Sequence, residues 1–121
     1  MATILLVEDD EFIRRMLVLR LKRRDHAVET AADGKIGVAR ARELRPDLVL
    51  MDMHMPVMDG HEAVRTLRAG GYEGLIVAIT ASAASVEMAT AREAGCDDII
   101  SKPIGGDFET IIHSLLKGDA A

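Results

Sequence analysis

Five polar residues of this 121-residue chain are of types that do chemistry together: Asp9, Asp10, Asp52, Thr80 and Lys102. Carboxylates brought within several ångströms repel one another, by roughly 4 kcal/mol per pair at about 4 Å and an effective dielectric near ~20. Positive charge must compensate. Carboxylate oxygens with water in the remaining positions suit Mg²⁺, which favours octahedral oxygen coordination and keeps part of its hydration shell. The Lys102 ammonium supplies one further charge. A carboxylate beside such an ion can attack phosphorus and become an aspartyl phosphate, while metal, ammonium and a hydroxyl such as Thr80 stabilise charge on the transferring group. Asp52 is the expected nucleophile because it stands alone after Leu48-Val49-Leu50-Met51. Asp9 and Asp10 form a pair suited to holding the ion. Each residue also has a plainer explanation: Asp9 or Asp10 as a helix cap, Asp52 as a loop residue, Thr80 as a strand-end hydroxyl, Lys102 as a solvated charge.

The elements that would position these residues explain why they belong together. Thr3 to Val7 is an apolar run that ends at Glu8-Asp9-Asp10, and Ile13, Leu17 and Leu21 follow at four-residue spacing, which predicts strand then helix. His26 to Ala31 alternates as a second strand. A helix from Gly34 to Leu44 must stop ahead of Pro46, because a residue before proline avoids the α region. Leu48 to Met51 has no polar interruption, as expected of a parallel strand covered on both faces. Pro56 to Gly60 carries turn chemistry, a helix bears Ala63, Val64 and Leu67, and Gly70-Gly71 closes it. Leu75 to Ile79 is a fourth strand, Ser82 to Ala94 a helix rich in small residues, and Asp98 to Ser101 a fifth strand. Phe108, Ile111, Ile112, Leu115 and Leu116 mark a last amphipathic helix. Five strands, each followed by one of five helices, imply an α/β doubly wound parallel sheet with right-handed crossovers. In such a sheet, chemistry belongs at the carboxyl ends of the strands. Asp9 and Asp10 follow strand one, Asp52 strand three, Thr80 strand four and Lys102 strand five.

Composition narrows the function further. Hydrophobic residues make up 49% of the chain and aromatics 2%, so the core is aliphatic. The net charge of −5, with basic residues dispersed among acidic ones, argues against a phosphate-backbone footprint and direct nucleic-acid binding. Cys96 is the only cysteine, which excludes an intramolecular disulfide and reads as a small buried hydrophobe. No run approaches the length of a membrane span and no secretory signal opens the chain, so a cytoplasmic protein is expected. Residues 1–121 read as one domain. With no DNA-binding or catalytic segment after Gly118, the expected output is a protein–protein contact, unless the chain is a piece of something larger.

Ile-Leu-Leu-Val-Glu-Asp-Asp at 4–10, Asp-Leu-Val-Leu-Met-Asp-Met-His-Met-Pro-Val-Met-Asp-Gly at 47–60, Ile-Thr-Ala at 79–81 and Ser-Lys-Pro-Ile at 101–104 resemble, in order and spacing, the receiver domains of two-component response regulators. The resemblance implies a CheY-like, flavodoxin-like sheet in the order 2-1-3-4-5. It implies that Asp52 accepts phosphate from a sensor histidine kinase or histidine phosphotransfer protein. It further implies that Asp10 and Asp52 ligate Mg²⁺ directly, that Asp9 does so through water, and that the His54 backbone carbonyl adds a ligand. Lys102 would pair with the phosphoryl group or Asp52, with a cis bond to Pro103, and Thr80 would move toward the phosphoryl oxygen. The protein would then be a phosphorelay switch with self-dephosphorylation tuned by His54 and Ser82, not an enzyme. It would act on a downstream protein target, as a monomer or weak dimer.

Two departures from the family pattern stand out. Its switch aromatic, three residues before the lysine, is here Ile99, which alters coupling between Thr80 and the face of the fourth helix and fifth strand. Gly105-Gly106 loosens the start of the last helix. The Ala-rich segment from Ala81 to Ala94 has few large apolar anchors and is expected to be the movable element. His54 is expected to contribute only its backbone, and His26, His61 and His113 carry no assigned chemistry. Two rival readings are an aspartyl-phosphate phosphatase or phosphotransferase, for which His54 stands where a second acid is usual, and a constitutive binding module without phosphate control.

Overall fold

The computed structural model describes residues 2–55, 57–81 and 84–118. Strands and helices alternate strictly: β1 (Thr3–Val7), α1 (Glu11–Lys22), β2 (Ala27–Ala31), α2 (Gly34–Leu44), β3 (Leu48–Asp52), α3 (Gly60–Ala69), β4 (Leu75–Thr80), α4 (Ser85–Ala94), β5 (Asp98–Ser101) and α5 (Phe108–Leu116). All pairings are parallel and the sheet order is β2-β1-β3-β4-β5. The doubly wound architecture expected from the alternation is therefore present, with the reversal in strand order between β1 and β3. Pro56 and Ser82, which the sequence placed in the turn after β3 and at the start of the fourth helix, lie outside the described residues.

Side-chain alternation divides the core into two layers. Ile4, Leu6, Leu48, Leu50, Val77 and Ile79 pack with Leu17 and Leu21 of α1 and with Phe108 and Ile112 of α5. Leu5, Val7, Val49, Met51, Ile76 and Ala78 pack on the other side with Val38 of α2, Val64 and Leu67 of α3 and Ala91 and Ala94 of α4. Every residue of β3 is buried, which accounts for its unbroken apolar run. Cys96 is buried in the second layer and burial pushes its thiol up to about 11, consistent with a hydrophobe and not a nucleophile.

The helices begin and end where local chemistry demands. The side chains of Asp10, Asp33 and Asp59 accept hydrogen bonds from the backbone N–H groups of Ile13, Ile36 and Glu62 at 2.9, 2.8 and 2.9 Å, capping α1, α2 and α3. α2 ends at Arg45, held in the left-handed region at φ 47° immediately before Pro46. α3 begins at Gly60 because it runs directly against β3: a Cβ there would lie 2.4 Å from the Asp52 carbonyl oxygen, closer than any side chain tolerates. That contact fixes the backbone that carries Asp52.

Candidate functional site: an acidic crevice at the strand ends

Strand register determines which side chains meet. Val7 is level with Met51, Asp52 with Ile79, and Thr80 with Ser101. The residue after β1 is Glu8, so Glu8 stands beside Asp52, and Lys102 emerges one step past β5. Both carboxylates fall on the α1/α5 side of the sheet by alternation, and Thr80 falls on the α4 side. The loop after β1 is closed by Glu8, whose backbone N–H donates to the Ala31 carbonyl at 3.0 Å and whose carbonyl accepts from Arg14 Nη1 at 2.9 Å.

Glu8 and Asp52 are 0% and 2% exposed, so water does little to screen them and the Lys102 ammonium lies between. Its Nζ is 3.1 Å from Glu8 Oε1 and 3.7 Å from Asp52 Oδ1. The nearer contact is an ion pair without the angles of a hydrogen bond, since Glu8 Oε1 is buried and accepts none. Glu8 Oε2 accepts from the Asp10 backbone N–H at 3.2 Å, and Asp52 Oδ1 accepts from the His54 backbone N–H at 3.2 Å. Burial, helped by the Glu8 carboxylate, pushes the Asp52 carboxyl up to about 7, against the pull of the His54 N–H and Lys102. For Lys102, burial opposes the charged form, but Glu8 and Asp52 outweigh it and raise the ammonium above its usual value.

Glu8, Asp9 and Asp52 each present a carboxylate oxygen within 4.8 Å of the other two. Their fit to a hard divalent cation rests on three observations of the crevice: the donors are all oxygen, two of the three are buried, and one buried oxygen lacks a hydrogen bond. Here the structure corrects the sequence reading. Asp10, expected as a direct ligand, is exposed and directs its carboxylate to the Ile13 N–H as the α1 cap. Glu8, passed over as part of an acidic triplet, takes the place beside Asp52. The signal was present in the strand length: with β1 ending at Val7, the first residue past it is Glu8, and Asp10 sits three residues before Ile13, the capping distance.

Thr80 is 3% exposed, and its Oγ1 is 3.5 Å from His54 Nε2. Lys102 joins the crevice, and the Lys102–Pro103 peptide bond is cis. Ile99 is partly buried against the α2/α3/α4 layer. His54 does more than its backbone: its Nε2 also meets Glu87 Oε1 at 3.1 Å, a contact without a local mark because Glu87 lies 33 residues away on α4. His61 is half-buried, and its Nε2 has no hydrogen bond among the described residues. His26 accepts the Ala2 N–H on Nδ1 at 3.2 Å, well away from the crevice.

Comparison with known proteins agrees with this geometry. The family model described as the response regulator receiver domain matches residues 4–115. The chain is 40% identical over 106 residues to the transcriptional regulatory protein AfsQ1 of Streptomyces coelicolor, covering 88% of this chain and 47% of that protein. It is 41% identical over 108 residues to the two-component response regulator ORR41 of Oryza sativa, covering 86% and 85%. Among solved structures, the chemotaxis protein CheY4 of Vibrio cholerae superposes with a TM-score of 0.87 at 32% identity, over 97% of this chain and 98% of that one. The chain thus spans about half of AfsQ1, whose name is that of a transcriptional regulator, so the expectation of no nucleic-acid contact draws no support from it. Among the described residues no helix is long and apolar enough to cross a membrane. The sheet order, the strand-end carboxylates and lysine, and a family match over nearly its whole length agree: the chain belongs to the response regulator receiver domains of two-component systems.

Proposed function

We propose that this receiver domain is switched by phosphorylation of Asp52 with the help of Mg²⁺. The observation that carries the reading is the buried pairing of Asp52 and Glu8 around one ammonium, with a carboxylate oxygen left without a hydrogen bond. An Asp52 carboxylate oxygen forms a bond to phosphorus as the P–N bond of a donor phosphohistidine breaks, and the departing imidazole takes up a proton. Glu8, Asp9 and Asp52 would hold Mg²⁺. The cation, when bound, offsets charge on the phosphoryl oxygens. Lys102 holds positive charge at the same place, and the Thr80 hydroxyl supplies a hydrogen bond to a phosphoryl oxygen. Burial beside Glu8 raises the Asp52 carboxyl toward about 7 and so favours a protonated form in the absence of a cation. Phosphoryl uptake at low Mg²⁺ is expected to rise with pH across that value, since only the ionised carboxylate attacks.

The donor class is a sensor histidine kinase or histidine phosphotransfer protein in the cytoplasm, and the output is a contact with a downstream protein. Incubation with a small acyl phosphate and Mg²⁺, read by intact mass, tests the reading. Wild type should gain one labile phosphoryl group per chain and Asp52→Asn none. Turnover of many equivalents of donor would instead indicate a phosphatase or phosphotransferase, and a chain that stays unlabelled a constitutive binding module.

A further inference from the structure

The residue three places before Lys102 is Ile99, an aliphatic side chain with no polar group to follow Thr80. The described residues contain a different, polar route from the crevice to α4. His54 follows Asp52 by two positions and gives its backbone N–H to Asp52 Oδ1. Its ring Nε2 lies 3.5 Å from Thr80 Oγ1 and 3.1 Å from Glu87 Oε1. The contact with Glu87 is a close polar approach of ring nitrogen and carboxylate. His54 therefore links Asp52 through its backbone to the hydroxyl at the end of β4 and the first turn of α4 through its ring.

The two ends of α4 are held unequally. At the C-terminal end, Gly95, at φ 123°, offers its carbonyl to Arg68 Nε at 3.0 Å, and Arg68 Nη2 pairs with Asp97 at 2.9 Å. At the N-terminal end the cap is Ala84, which has no side-chain acceptor. Ser85 and Val86 are exposed, and the fully buried residues of the helix are Ala91 and Ala94 in its second half. Glu87 is the third helical residue, the position from which an acid normally reaches back to its own N-cap. Here it reaches across to His54.

We propose that the His54–Glu87 contact is a latch that holds the first turn of α4 against the phosphoacceptor loop, and that a phosphoryl group on Asp52, by drawing Thr80 and the His54 loop toward its oxygens, opens it. The inference rests on the phosphorylation reading above. The His54 side chain is about half exposed and the Glu87 side chain a quarter exposed, so the pair is weak. A weak latch suits an equilibrium that one modification must tip.

Hydrogen exchange of the α4 amides, with intact mass measured on the same samples, tests the latch. In the unphosphorylated protein, Glu87→Ala should speed exchange in the first two turns of α4 by about 2- to 5-fold, the range expected for a pair of this exposure. Glu87→Gln, whose side chain has the same length and keeps a polar partner for Nε2, should stay near wild type. Both variants should take up phosphate to the wild-type level. Phosphorylation should speed α4 exchange in wild type and add little in Glu87→Ala. Unchanged α4 exchange in unphosphorylated Glu87→Ala, or equal acceleration in Glu87→Gln and Glu87→Ala, would overturn the proposal. So would a phosphorylated wild type whose α4 stays fully protected. Failure of the mass to increase would contradict the phosphorylation reading instead, while the unphosphorylated comparison still decides whether Glu87 holds the helix.

Discussion

The last two helices of the molecule face opposite layers and are secured in opposite ways. α5 buries Phe108 and Ile112 completely and leans Ile111, Leu115 and Leu116 on the same layer. It is clamped to α1 by Arg20, whose Nε reaches Glu109 at 2.8 Å, whose Nη2 reaches the Gly105 carbonyl at 2.8 Å, and whose guanidinium lies 5.2 Å from the centre of the Phe108 ring. α4 buries two alanines and starts at an alanine cap. The contrast teaches that the Gly105-Gly106 segment, read from sequence as loosening the start of the last helix, is tied to α1 through Arg20. Neither helix has a side-chain cap bond at its start, so the difference lies in buried apolar area and in the Arg20 clamp, both of which α4 lacks.

The comparison can be broken most severely at Phe108. Phe108→Ala should cost about 3–5 kcal/mol in a urea melt, as for a large side chain removed from a filled core. Val86→Ala on α4 should stay within about 0.5 kcal/mol, since Val86 is 77% exposed. Equal losses would mean that α4 is as firmly held as α5. A smaller effect is expected at the clamp. Glu109 is pulled down from 4.5 to about 2, chiefly by its hydrogen bonds from Arg20. A depressed carboxyl contributes stability that is present above 4.5 and disappears as the pH falls toward 2. Glu109→Gln should therefore cost about 1 kcal/mol at pH 7, and the gap to wild type should close in acid melts. The smallest effect is at the α4 cap. Ala84→Ser should stabilise by about 0.5–1 kcal/mol and slow exchange in the first turn of α4, narrowing the difference between the two helices.

The sequence made the fold legible because each strand and helix was marked locally. The buried run Leu48 to Met51, the close of the third helix at Gly70-Gly71, the stop before Pro46 and the Phe108 to Leu116 stripe are all near-neighbour signals, and the structure keeps each. Asp52, Thr80 and Lys102 were legible for the same reason, as polar residues at the ends of apolar runs. The choice among Glu8, Asp9 and Asp10 was harder. Three adjacent acids look alike in sequence, and only the parallel register of β1 with β3 sets Glu8 beside Asp52 while the start of α1 claims Asp10. The contacts of Glu87 and Arg20 are long-range and depend on how helices seat on the sheet, for which neither residue carries a local mark.

The claim on which the rest depends is that Glu8, Asp9 and Asp52 share one cation site and that Asp10 belongs to the helix. Titration of Mg²⁺ by calorimetry into wild type, Glu8→Gln and Asp10→Asn separates these roles, because asparagine caps a helix as well as aspartate while glutamine removes a charge from the crevice. Affinity should fall by roughly 10-fold or more in Glu8→Gln and by less than about 2-fold in Asp10→Asn. The reverse order, with Asp10→Asn the damaging change and Glu8→Gln near wild type, would contradict the account.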